Sequence, residues 1–220
     1  MNKVEKKLDV LCLGAAVGDI PLRPVSREVF DIESYPVDNI AMAVGGDAMN
    51  ESTIISRLGF KTGLMAAIGD DAAGAFILRS CDEDNIDTEG VTIDPNLNTS
   101  INIGLVTEDG ERTFITVQGA ECHFKKEWFE QIDMDNYENI YIAGYQVCGK
   151  SGEIISQWLK TVENVEEKHI FFAPGPMITA IESETMENLF ALKPILHINE
   201  AEAKGYTQQE NVEEAVRALY

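Results

Sequence analysis

Val44-Gly-Gly-Asp-Ala-Met-Asn-Glu-Ser-Thr-Ile-Ile-Ser-Arg-Leu-Gly59 reads as a strand end, a glycine turn and a helix. Two adjacent glycines, Gly45 and Gly46, let the backbone come close to a ligand where a Cβ would intrude. The helix behind them directs its free N–H groups and its positive dipole end back at the turn. Asn50 falls in the first helical turn, with an amide that both donates and accepts. Ile54, Ile55 and Leu58 supply an apolar face at helical spacing. Gly59 stops the helix. Residues 61–68 then restart as a strand that ends in Gly69-Asp-Asp-Ala-Ala-Gly74.

Outward from this unit, strands and helices alternate. Residues 10–17 are a continuous run of apolar and small residues, as expected of a buried parallel strand. The run ends in Gly18-Asp19, and open α/β sheets bind ligands just past the carboxyl ends of their strands. Prolines 21, 24 and 36 keep residues 20–43 from being helical. Residues 99–106 and 112–117 form a hairpin around Glu108-Asp-Gly-Glu111, whose Asp-Gly pair is a turn signal. Helices are expected over 71–84, 124–131, 151–161 and 184–191, and again from about Gln208. Strands are expected over 89–93, 139–143, 168–172 and 195–198. The alternation predicts an α/β fold with a mostly parallel sheet covered on both faces.

The composition is globular, with 45% hydrophobic residues among 220. Net charge is 17 − 38 = −21, which repels nucleic acid and anionic lipid. No signal peptide or membrane span is visible in the sequence. Cys12, Cys81, Cys122 and Cys148 form no C-x-x-C pair, so they read as reduced thiols and a cytoplasmic location is expected. Gly144-Tyr-Gln-Val-Cys-Gly-Lys-Ser151 matches the P-loop pattern between a predicted strand and a predicted helix. On that reading Lys150 would hold phosphates and Ser151 magnesium. Against it, the next strand ends in Ala173-Pro-Gly-Pro176, without the acidic residue of a second nucleotide motif. Asn199 and Glu202, three apart after residues 194–198, share a helix face; they also fit a capping box.

Gly45-Gly46, Asn50, Leu58-Gly59, Gly69-Asp-Asp71 and Gly74 together resemble the first signature of the ribokinase-like (PfkB) carbohydrate kinases. The resemblance implies a single ribokinase-like domain over residues 1–220, a three-layer αβα sandwich that is incomplete at its C-terminal end. It implies a small β lid from residues 20–43 and 99–117, which closes over the sugar and excludes water. Asp19, Gly45, Gly46 and Asn50 would bind the sugar or nucleoside. Asn199 and Glu202 would organise ATP and its Mg2+, with Glu202 as the metal-side carboxylate. The family's catalytic Gly-Ala-Gly-Asp supplies an anion hole and the base. It does not occur here, so no catalytic residue is assigned before Tyr220 and the chain alone is expected to be inactive. Homodimerisation through the lid is implied for the full-length protein, with no nucleic-acid or membrane partner. Asp47 replaces the lysine of ribokinases proper and Glu121 stands where many relatives have asparagine. Both are expected to make the pocket more acidic and to favour a neutral acceptor. A P-loop nucleotide-binding protein and a non-catalytic sugar-binding module are the rival readings.

Overall fold

A computed structural model describes residues 7–219. Its main sheet has six strands: β1 (Leu8–Leu13), β5 (Thr62–Gly69), β6 (Val91–Asp94), β9 (Tyr137–Ala143), β10 (His169–Ala173) and β11 (Ile195–Leu196). Their order is β11-β10-β9-β1-β5-β6, and every pairing is parallel. Parallel neighbours need crossovers, and helices supply them. These are α1 (Asp47–Arg57), α2 (Ala72–Glu83), α3 (Gly149–Leu159) and α4 (Ser183–Phe190).

Side-chain alternation along β1 explains the layering. Leu11 and Leu13 pack with Ile155, Leu159, Met186 and Leu189 of α3 and α4. Val10 and Cys12 turn the other way, onto Met49, Ile77 and Cys81 of α1 and α2. Both faces are therefore buried, as the unbroken apolar character of β1 and β5 requires. Burial pushes the Cys81 thiol up to about 12, which leaves it an inert hydrophobe.

A second, five-stranded sheet stands beside the first. It comprises β2 (Val17–Arg23), β3 (Asn39–Ile40), β4 (Ala43–Gly45), β7 (Ile101–Val106) and β8 (Arg112–Val117). β2 is its hub, parallel to β7 and antiparallel to β3 and β4. β7 and β8 form the expected hairpin.

Three expectations are corrected. Residues 10–17 are not one strand: β1 stops at Leu13, and Val17 already belongs to the second sheet. Gly14, Ala15 and Ala16 between them are buried, so the connector is as apolar as a strand and the pattern cannot show the break. Residues 126–131 form a 3-10 helix rather than an α-helix. No helix starts at Gln208, which adopts a left-handed conformation and closes α5 (Glu200–Thr207). The last helix, α6 (Val212–Ala218), begins behind Asn211, whose side chain accepts from the Glu213 and Glu214 N–H groups.

Candidate functional site

The glycine pair lies where β4 enters α1, beside the carboxyl end of β1. A Cβ on Gly45 would lie 2.0 Å from Asp19 Oδ2. Asp19 is on β2, opposite Ala43 of β4 and Asn102 of β7. Gly45 is thus a floor over which the Asp19 carboxylate rests. Asn102 Nδ2 donates to Asp19 Oδ1 at 2.9 Å and fixes the carboxylate from the other side. Gly46 has φ +93°, and a Cβ there would lie 2.4 Å from the Ala15 carbonyl oxygen, so only glycine fits. Asn50 is exposed in the first turn of α1. Asp19, Gly45, Gly46 and Asn50 are therefore gathered on one strand–turn–helix unit and the strand beside it. Asn102 was missed; its signal is a lone amide in the apolar strand Ile101–Val106.

Two acidic residues expected to acidify the pocket, Asp47 and Glu121, are engaged by backbone N–H groups. Asp47 Oδ1 accepts from the Ala15 N–H at 3.0 Å and the Ala48 N–H at 2.9 Å. Burial raises its pKa above the ordinary value, and the backbone N–H groups oppose that only in part. Its carboxylate braces the β1 exit against the helix start. The Met49 N–H donates to the Ala15 carbonyl at 3.1 Å, so α1 does not leave its first N–H groups free for an anion. Glu121 is buried and accepts from the Gly119 N–H at 3.1 Å. Of the three carboxylates, Asp19 alone is held over the glycine floor.

Asn199 and Glu202 stand after β11, on the same edge of the main sheet. That is three strand positions from β1, about 14 Å at the usual strand spacing. They form a complete capping box: the Glu202 N–H donates to Asn199 Oδ1 at 2.9 Å, and the Asn199 N–H donates to Glu202 Oε2 at 3.1 Å. Asn199 Nδ2 also donates to Glu202 Oε1 at 2.7 Å. Among the described residues no group of three or more His, Cys, Asp or Glu side chains is arranged to hold a metal ion. The pair suits a cation held through its waters, since both Glu202 oxygens already accept hydrogen bonds.

The P-loop reading fails on geometry. A Cβ on Gly144 would lie 1.9 Å from the Pro174 carbonyl oxygen, so that glycine serves backbone packing. The Gly149 N–H, at the start of α3, donates to the Glu182 carboxylate at 2.9 Å. A carboxylate thus takes the N–H that a phosphate would need. Lys150 pairs with Glu153 at 2.6 Å. Ser151 is buried; its Oγ donates to the Cys122 carbonyl at 3.0 Å and accepts from the Phe124 N–H at 3.2 Å. Glu153, Glu182 and Glu184 line the concavity beside it. Another cavity, of about 410 Å³, is lined by Phe129, Glu130, Ile154 and Trp158. Asp19 lines neither of them.

Residues 7–220 match the pfkB family carbohydrate kinase pattern. The chain belongs to the pfkB family of carbohydrate kinases. Among curated relatives it is 26% identical over 208 residues to an uncharacterized sugar kinase, YegV, of Escherichia coli, covering 93% of this chain and 62% of that one. The chain thus spans less than two thirds of that relative's length. A solved fructokinase with bound ATP from Xylella fastidiosa superposes with a TM-score of 0.79 at 16% identity, covering 97% of this chain and 68% of that one. An adenosine kinase from Sinorhizobium meliloti does so at 0.76 and 19% identity, covering 97% and 71%. At these identities the structures share the fold: ribokinase-like, with a mostly parallel sheet between helices.

Proposed function

We propose that this chain carries the acceptor site of an ATP-dependent kinase for a neutral sugar or nucleoside. The observation that supports it is the Asp19 carboxylate, braced by Asn102 over the Gly45 floor. A carboxylate accepts several hydrogen bonds and donates none, so it selects hydroxyl donors. Asn102 takes one position on Oδ1, and acceptor hydroxyls take the others. Asn50 contributes a donor and an acceptor from the first turn of α1. Asp47 and Glu121 are spent on backbone N–H groups, so preference for an uncharged acceptor rests on Asp19. The named activities of relatives, among them fructokinases and adenosine kinase, are of this acceptor class.

In this reading the second sheet is a lid that shields the site from water. Asn199 and Glu202 would hold the waters of a magnesium ion arriving with ATP. Magnesium keeps several waters and neutralises phosphate charge. We assign the base that deprotonates the acceptor to no residue of this chain. Residues 1–220 alone are expected to bind the acceptor without turnover. A cytoplasmic protein fits this chemistry; among the described residues no helix is long and apolar enough to cross a membrane.

The test is calorimetric titration of the purified chain with D-fructose, D-ribose and adenosine, alongside ATP consumption with magnesium. One acceptor is expected to bind, and Asp19→Asn to weaken it by about 12- to 150-fold, the equivalent of roughly 1.5–3 kcal/mol for a hydrogen bond to a charged group. The melting temperature is expected to stay close to wild type. Unchanged affinity in the variant removes Asp19 from the site. Acceptor-dependent ATP consumption, free of contaminating kinase, places a base within these residues.

A further inference from the structure

The lid and the main sheet meet at a hydrogen-bonded knot that the acceptor site itself does not explain. Asp71 is the N-cap of α2, and its Oδ1 accepts from the Gly74 N–H at 2.8 Å. Its Oδ2 reaches away from the helix and accepts from the Thr99 N–H at 2.8 Å. A cap needs one oxygen; Asp71 uses both, on two different parts of the chain. Thr99 completes the tie, because its Oγ1 accepts from the Gly69 N–H at 2.9 Å. A Cβ on Gly69 would lie 2.7 Å from the Thr99 nitrogen, so the end of β5 and the root of β7 are pressed together.

The second sheet leaves from this point. The Ser100 carbonyl accepts from the Gly18 N–H at 2.9 Å, joining β2 to the knot. Ser100 Oγ donates to the Val117 carbonyl at 2.7 Å, joining β8. The Ala120 N–H donates to the Asn98 carbonyl at 2.8 Å where the hairpin returns. Three residues beyond Thr99, Asn102 grips Asp19. The path from Asp71 to the candidate acceptor carboxylate is therefore Asp71, Thr99, β7, Asn102, Asp19, with a hydrogen bond or a short length of strand at each step.

We propose that Asp71 is a positioning residue that ties the root of the lid to α2 and so sets Asp19 over the Gly45 floor. The proposal rests on the acceptor-site reading for its purpose; the tie itself can be tested without any ligand. Burial acts to raise the Asp71 pKa, but the Gly74 and Thr99 N–H groups more than offset that and hold it below the ordinary value. Both hydrogen bonds are therefore made to a carboxylate.

Asp71→Ser separates the two jobs. Serine is a good N-cap, so α2 keeps its start, but its single oxygen cannot also reach Thr99. Hydrogen exchange of the unliganded 220-residue chain is the readout. The β2 and β7 amides are expected to exchange on the order of tenfold faster, as for loss of one charge-assisted hydrogen bond. Amides of β1, β5, β9 and α2 are expected to be unchanged. Thr99→Val, which removes the Gly69 bond, is expected to accelerate β2 and β7 in the same way, with the Gly69 amide the one β5 position that also exchanges faster. If β2 and β7 exchange as in wild type, or if all strands accelerate together, Asp71 is only a helix cap and the proposal falls. D-fructose, D-ribose and adenosine titrations of the wild-type chain decide the acceptor reading separately, and the acceptor that binds is expected to bind Asp71→Ser on the order of tenfold more weakly, an equal affinity showing that the tie does not set Asp19. Binding of none of them defeats that reading, while the exchange pattern still decides the tie.

Discussion

Asp47 and Asp71 stand at the starts of α1 and α2, and their pKa values move in opposite directions. Asp71 lies below its ordinary value, so the stability it contributes is present above the unfolded value of 3.8 and is lost as pH falls through the folded one. Asp47 lies above its ordinary value, chiefly because of burial. Its contribution is complete below 3.8 and is lost as pH rises through the raised value. Asp47→Asn keeps an oxygen for the Ala15 and Ala48 N–H groups and removes the charge. The variant is therefore expected to gain stability relative to wild type as pH rises from about 4 to 7. Urea unfolding at both pH values measures it, and a difference independent of pH would mean that the charge is not buried. The sequence displayed the charges of Asp47 and Glu121 but not their direction. In the sequence both look like pocket acids, because nothing local reveals that the Ala15 and Gly119 N–H groups claim them. Gly45 and Gly46 were legible because only close backbone approach requires such a pair.

At the scale of elements, periodicity separated strands from helices well in the main sheet. β5, β6, β9 and β10 each lie within a few residues of their expected places, because apolar runs bounded by turn residues have few alternatives. Pairing was less legible. That Val17 joins the second sheet is fixed by its partner Gly45 and by the Gly18–Ser100 hydrogen bond, and such long-range contacts leave no local trace. The same limit explains the P-loop match at residues 144–151. The pattern describes spacing, while phosphate binding needs N–H groups pointing at open space. Here Glu182 covers the start of α3, and Lys150 faces Glu153. Lys150→Ala is accordingly expected to leave ATP affinity essentially unchanged by fluorescence titration. A working P-loop would lose most of its affinity with that lysine, so a large loss would restore the rival reading.

The whole molecule combines a charge of −21 with an apolar sheet face. Strand alternation places Asp19 and Asn102 on one face of the second sheet and Ile20, Ile103 and Ile115 in a row on the other. Ile115 and Val117 on the edge strand β8 are 50% and 54% exposed. An exposed edge with an apolar face is an association surface, and we propose that two copies meet there. Two chains of this charge repel one another. The repulsion reaches about 10 Å at 0.1 M salt and only about 3 Å at 1 M, whereas the apolar gain does not depend on screening in this way. The expected outcome is a dimer whose fraction rises with salt in sedimentation velocity. Ile115→Lys adds a charge that must be desolvated at the contact, and it is expected to give monomer at every salt concentration. Because β8 is an edge strand, the substitution should leave hydrogen exchange in the main sheet unchanged, which separates loss of the contact from loss of the fold. If wild-type chain stays monomeric at 1 M salt, the apolar face has some other cover and the dimer is wrong. If it dimerises most strongly at low salt, the contact is electrostatic and lies elsewhere on the surface.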